Sequence, residues 1–143
     1  MSVLEVQELQ THFSTRNGVV KAVDGVSFSL SEGQVLGLVG ESGSGKSVTA
    51  LSTVSLLGDT AQVTGSVRYA GQEMIGAPEA RLQKIRGNDI SFIFQEPMTS
   101  LNPLHTIEAQ ITESLALHQG LSGQAARTRV LDLLDKVGIR DAE

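Results

Sequence analysis

One stretch constrains this chain more than any other: Gly40-Glu41-Ser42-Gly43-Ser44-Gly45-Lys46-Ser47 fits the pattern G-x-x-x-x-G-K-[ST]. Before it runs Gln34-Val35-Leu36-Gly37-Leu38-Val39, apolar on both faces, as a strand in the middle of a layered sheet should be. After it, Lys46 to Leu57 reads as a helix closed by Gly58-Asp59. Strand, glycine turn and helix together are the context in which this motif holds phosphate. Glycines allow backbone conformations barred to side chains, so the main-chain amides from Gly40, Gly43 and Gly45 through Val48 can turn inward on a β-phosphate. Lys46 then reaches the β- and γ-phosphates, and the Ser47 hydroxyl is placed to bind Mg²⁺ bridged to them. Ser42 and Ser44 line the loop or only shape it. The plainer alternative, a glycine-rich turn before a core helix with Lys46 solvated, has to explain away every matched position as well as the context. A dinucleotide site is excluded, because the third glycine of G-x-G-x-x-G is missing where Val48 follows Ser47.

The flanking sequence supplies the rest of an α/β domain. Val3 to Gln10 alternates apolar and polar residues, Arg16-Asn17-Gly18 makes a turn, and Val19 to Leu30 is strand-like, which together predict an antiparallel pair. Val63 to Tyr69 reads as a further strand with Gly65 inside it, and Pro78 to Arg86 as a short helix with proline in its first turn. Ile90 to Phe94 is a second short apolar strand, broken by Gln95-Glu96-Pro97. Ile107, Ile111 and Leu115 recur every four residues within a helix from Thr106 to Gln119. Beyond Gly120, Ser122 is a plausible N-cap for a last helix that places Ala126, Val130, Leu133, Leu134 and Val137 on one face and Gly138 at its end.

Composition removes whole classes of function. With 143 residues, 40% of them hydrophobic, the chain holds one domain's worth of sequence and enough apolar material for a core. The absence of cysteine excludes a disulfide scaffold, a thiolate zinc site and a cysteine nucleophile, and is compatible with a reducing compartment. A net charge of −5 with 3% aromatics argues against a nucleic-acid groove, which needs a basic footprint and stacking rings. No apolar run approaches the roughly 18 residues a membrane-spanning helix needs, so a membrane connection runs through a partner. His12, His105 and His118 share no ligand spacing, so a protein-only metal site is not expected.

A P-loop by itself does not separate ATPases, GTPases and small-molecule kinases. Asp135-Lys136-Val137-Gly138 matches the D-x-x-G of a GTPase in letters but lies at a helix end, and N-K-x-D is absent. The deciding stretch is Ser91-Phe92-Ile93-Phe94-Gln95-Glu96-Pro97-Met98-Thr99-Ser100-Leu101-Asn102-Pro103. Here the sequence resembles the ATP-binding subunits of ABC transporters, within them the peptide-importer branch, and the resemblance runs the whole length. It implies an α/β P-loop NTPase core with an N-terminal antiparallel β-subdomain and the start of a helical subdomain. Residues 1–97 would form the β-subdomain and P-loop core, and residues 98–143 the beginning of the helical part. It also implies ATP and Mg²⁺ as ligands, Gln95 as the glutamine that contacts Mg²⁺ and the attacking water, and Phe13 as the aromatic residue that stacks on adenine. A tyrosine is commoner at that last position, and Phe28 or His12 are alternatives for it.

The partners implied are transmembrane permease subunits docking on the helical part, a second nucleotide-binding domain and, indirectly, an extracytoplasmic solute-binding protein, with no nucleic acid. The location implied is peripheral, on the cytoplasmic face of the inner membrane. A soluble ABC ATPase of DNA repair or translation, or a non-catalytic nucleotide-binding fragment, are the alternatives. The family's later elements are absent: no L-S-G-G-Q, no apolar strand ending in Asp-Glu and no switch histidine. Leu121-Ser122-Gly123-Gln124 lacks the second glycine, and Val130-Leu131-Asp132 sits in helical spacing. A truncated chain is therefore expected, with a gap in its sheet between the P-loop strand and the strand ending at Gln95, marginal stability or self-association, and negligible turnover alone.

Overall fold

A computed structural model describes residues 2–96, 100–139 and 141–142. Pro97, Met98 and Thr99, and with them the expected boundary between residues 97 and 98, lie outside the described residues. The chain divides into two compact units, Met1–Gln83 and Lys84–Glu143.

The first unit is built on a four-stranded antiparallel sheet in the order β2-β1-β3-β4. Its strands are β1 (Ser2–Thr15), β2 (Gly18–Ser31), β3 (Ala61–Tyr69) and β4 (Gln72–Glu73). The β1–β2 hairpin forms as its alternation predicts, and it is longer than expected at every end. Thr15 closes the turn: its hydroxyl donates to the Gly18 carbonyl (2.7 Å) and accepts from the Asn17 N–H (3.3 Å).

Midway along, β1 bulges. Its register slips by one residue against β2 between Val6 and Leu9 and against β3 between Gln7 and Gln10. Glu8 occupies the bulge at φ 46°, and Ser27 holds it there, accepting from the Glu8 N–H (2.8 Å) and donating to Glu8 Oε1 (3.0 Å). Across the sheet Gly65 sits at φ 99°, where a Cβ would lie 2.4 Å from the Glu8 carbonyl oxygen, so no other residue fits without moving backbone. The apolar core of this unit gathers Val6, Leu9, Val23, Val54, Val67, Met74 and Leu82, all buried.

The edge hairpin is clamped by Glu73. Its carboxylate accepts from Ser66 Oγ (2.6 Å) and from the N–H groups of Val67 (2.9 Å), Met74 (3.2 Å) and Ile75 (3.2 Å). Partial desolvation pushes its pKa up, but these four donors together outweigh it and hold the carboxyl below the ordinary glutamate range.

The helix α1 (Lys46–Ser52) begins where the motif requires and ends earlier than the expected Leu57. The reason is local. Thr49, Ser52 and Thr53 turn their hydroxyls back onto the carbonyls of Gly45, Val48 and Ala50, and Ser55 enters the left-handed region at φ 54°. The Leu56 N–H then reaches the Leu51 carbonyl (3.1 Å), closing the helical segment.

Two expected strands are corrected. Gln34 to Val39 has no strand pairing and is exposed throughout, Val35 at 94% and Val39 at 97%. Ile90 to Phe94 makes only an isolated bridge from Ile90 to Arg86, with Ile93 fully exposed. An apolar run becomes a strand only when a neighbour takes up its backbone N–H and C=O groups, and among the described residues neither run has one. They are the two segments expected to flank a gap in the sheet.

A short helix, α2 (Glu79–Ile85), begins just after Pro78 and carries the chain from the first unit to the second. The second unit then contains α3 (Ile107–Gln119) and α4 (Gly123–Lys136), packed on each other. Thr106 caps α3, accepting from the Ala109 N–H (3.2 Å), and Gly120 ends it in the left-handed region. Leu115, Ala126 and Val130 are buried, and Arg127 pairs with Glu108 (3.2 Å) across the two helices. Ser122 stands at the N-cap of α4 as expected but makes no side-chain capping bond. Val137, assigned to the apolar face, is 73% exposed, because α4 ends at Lys136 and Val137 is its C-cap, no longer on the helical face. Among the described residues no helix is long and apolar enough to cross a membrane.

Candidate functional site

The loop between Val39 and α1 has the shape its glycines permit. Gly43 and Gly45 adopt φ 80° and 89°. At Gly40 a Cβ would lie 2.5 Å from Ser44 Oγ, so a side chain there would turn that hydroxyl aside. At Gly45 a Cβ would meet the Ala22 carbonyl oxygen of β2 at 2.2 Å. That glycine is therefore required twice, by its conformation and by the close approach of the hairpin. As the N-cap of α1 it also has no side chain with which to satisfy the first free N–H groups of the helix, which remain available to an acceptor from outside.

Lys46 folds back over this loop. Its ammonium donates to the carbonyls of Gly40 (2.8 Å) and Glu41 (2.6 Å) and to Ser44 Oγ (3.3 Å). All three acceptors are neutral oxygens, so the charge is gathered at the mouth of the loop and is not neutralised by them. That is a site suited to an anion with several oxygens. Ser47 is exposed on the first turn of α1, and its hydroxyl is a hard oxygen donor of the type Mg²⁺ takes alongside phosphate oxygens and water. The residues present therefore fit a magnesium-bound polyphosphate. Ser42 is exposed on the loop, and Val48 is half-buried behind it in α1.

The hairpin places Phe13 on β1, opposite Val20 on one side and Ala61 on the other, and half-buried. Two positions back along the same strand, Thr11 contacts α1 through Ser52 (2.7 Å). The first unit thus brings Phe13, Gly40, Gly43, Ser44, Gly45, Lys46 and Ser47 onto the connected hairpin, loop and helix. Phe28, the other aromatic candidate, lies opposite Val6, beyond the bulge. His12 points to the other side of the strand, its Nε2 3.7 Å from Asp24 Oδ1. Gln95 belongs to the second unit, on an exposed bend after Phe94.

Three residues escaped the sequence reading: Ala22, Thr11 and Ser52. The last two are fully buried and joined by a hydrogen bond. One signal was present in the alternation of β1, where Thr11 falls at an inward position between Leu9 and Phe13 and so needs a polar partner.

Known proteins resemble the chain in sequence and in fold. The family model for the ABC transporter matches residues 23–143. The chain is 53% identical to the peptidoglycan transport ATP-binding protein YejF of Agrobacterium fabrum, covering 99% of this chain and 26% of that protein. It is 45% identical to the oligopeptide transport ATP-binding protein OppD of Haemophilus influenzae, covering 99% and 44% respectively. It therefore spans less than half the length of these curated relatives. Among solved structures it is similar to the dimeric, post-hydrolysis ATP-binding cassette MJ0796 bound to ADP and Pi. That match has a TM-score of 0.77 and 26% identity, covering 92% of this chain and 56% of the other. With the family model matching most of its length, the chain belongs to the ABC transporter family, with the P-loop ATPase fold of its ATP-binding cassettes.

Proposed function

We propose that this chain forms the nucleotide-gripping part of the energy-coupling ATPase subunit of an importer for peptides or related solutes. The observation that carries this reading is the Lys46 ammonium, drawn over its own loop by neutral oxygens at the start of α1. The main-chain amides from Gly40 to Val48 hold the β-phosphate, with Ser42 and Ser44 lining the loop. Lys46 clamps the β- and γ-oxygens. Ser47 would hold Mg²⁺, which would neutralise charge on those oxygens; the role of Gln95, as a glutamine that contacts Mg²⁺ and the attacking water, is carried by the family resemblance alone. Phe13 stacks on the adenine.

The names of the relatives support the importer branch, and the dimeric cassette similar in fold supports a second nucleotide-binding domain as partner. Transmembrane permease subunits dock on the helical part around α3 and α4, at the cytoplasmic face of the membrane, and a solute-binding protein acts through them. ATP binding closes two such domains, and hydrolysis reopens them.

Titration of the protein with a fluorescent ATP analogue and magnesium tests the site. Saturable binding, competed by ATP and ADP and lost in Lys46→Ala, is expected, and its absence from folded protein overturns the reading. Co-purification with membrane subunits tests the importer assignment. Nucleotide binding without it would point to the soluble ABC ATPases instead.

A further inference from the structure

Two joints fix α1 to the hairpin that carries Phe13. At the first, Gly45 lies against the Ala22 carbonyl of β2, too close for any side chain. At the second, Thr11 Oγ1 and Ser52 Oγ are 2.7 Å apart, both residues fully buried. The direction of that bond follows from counting protons. Ser52 has a single hydroxyl hydrogen and gives it to the Val48 carbonyl (2.7 Å), which can only accept. Thr11 is therefore the donor to Ser52. The relay runs from Thr11 through Ser52 to Val48, in the first turn of α1 and two residues from Lys46. At its other end Thr11 is two residues from Phe13 on β1, so strand alternation sets both on one face. Water cannot replace a bond lost at a fully buried position, so the relay is a fixed strut.

We propose that Thr11 is a positioning residue of the nucleotide site. Through Ser52 it sets the distance between the strand that bears the base-stacking ring and the turn that bears the phosphate-binding lysine, so that one ligand engages both. The proposal rests on the reading of Phe13 and the loop as one adenine-nucleotide site. It requires that Thr11 affect ligands that span the two parts and spare ligands that touch only the loop.

The test compares magnesium-ATP with magnesium-tripolyphosphate, by calorimetric titration of the protein and its variants. Thr11→Val keeps the shape and removes the donor, and should weaken ATP about five- to tenfold, the worth of one buried hydrogen bond, while leaving tripolyphosphate unchanged. Thr11→Ser restores the donor and should restore ATP affinity. Ser52→Ala cuts the relay from its other end and should give the same split, and it decides the matter if Thr11→Val fails to fold. Equal weakening of both ligands, or no weakening of ATP, overturns the proposal. Failure of the underlying site shows differently. Wild-type protein that binds no ATP, or Phe13→Ala with an unchanged ratio of the two affinities, overturns the site and the proposal together.

Discussion

The Thr11 hydroxyl donates to the Ser52 hydroxyl across 2.7 Å, tying the inner strand β1 to the helix α1 at a point water does not reach. Removing Ser52 leaves Thr11 with a buried, unsatisfied donor. Ser52→Ala should therefore lower unfolding free energy by about 1–3 kcal/mol. Because both partners belong to one relay, the double change with Thr11→Val should cost less than the sum of the single changes, as a double-mutant cycle in urea would measure.

The two left-handed glycines of the loop should respond differently to alanine. Gly43 has open space where a Cβ would stand, so Gly43→Ala pays only for backbone conformation, about 1 kcal/mol. Gly45 has the same backbone cost and, in addition, a collision with the Ala22 carbonyl oxygen. Gly45→Ala should cost about 2–4 kcal/mol and displace the loop from the hairpin. Thermal melts and nucleotide titrations of the two variants should therefore separate clearly.

Lys46 bonds only to oxygens of its own exposed loop, so its contribution to folding is small. Lys46→Ala should change unfolding free energy by less than about 1 kcal/mol while reducing ATP affinity by about two orders of magnitude, since the lost bonds are charge-assisted. Lys46→Arg should not restore affinity, because a planar fork cannot replace a compact ammonium between two carbonyls. Melting without ligand, set beside fluorescent-ATP binding, checks both halves.

Glu73 predicts a pH dependence. Its carboxyl is held below the ordinary range in the folded chain, so its contribution is present above the unfolded pKa of about 4.3 and is lost as pH falls through the folded value. Glu73→Gln should destabilise by about 1 kcal/mol at neutral pH, a figure already reduced for its partial exposure to solvent. The difference from wild type should shrink on acidification below about pH 4. Denaturation midpoints across that range would reveal a converging pair of curves, and parallel curves would rule out the carboxylate as the cause.

The elements read well from sequence were those that satisfy themselves locally. The β1–β2 hairpin pairs within its own length, α3 carries its cap at Thr106 and its stop at Gly120, and the loop before α1 takes its shape from glycines at fixed offsets. Gln34 to Val39 and Ile90 to Phe94 were legible as apolar but not as unpaired, because strand formation depends on a neighbour that no local pattern encodes. The bulge at Glu8 left only the trace of Gly65 in a strand, and its register followed from contacts across three strands. Thr11 and Ser52 are separated by 41 positions, so their hydrogen bond was beyond any motif.

The Lys46 side chain rests on Gly40, Glu41 and Ser44, an internal surrogate for the polyphosphate we propose it binds. On that proposal an arriving polyphosphate would exchange one set of oxygens for another on an ammonium already confined, so little rotamer freedom would remain to be lost. Affinity would then be a difference between two embraces, and strengthening the resting one would weaken the proposed grip on the nucleotide.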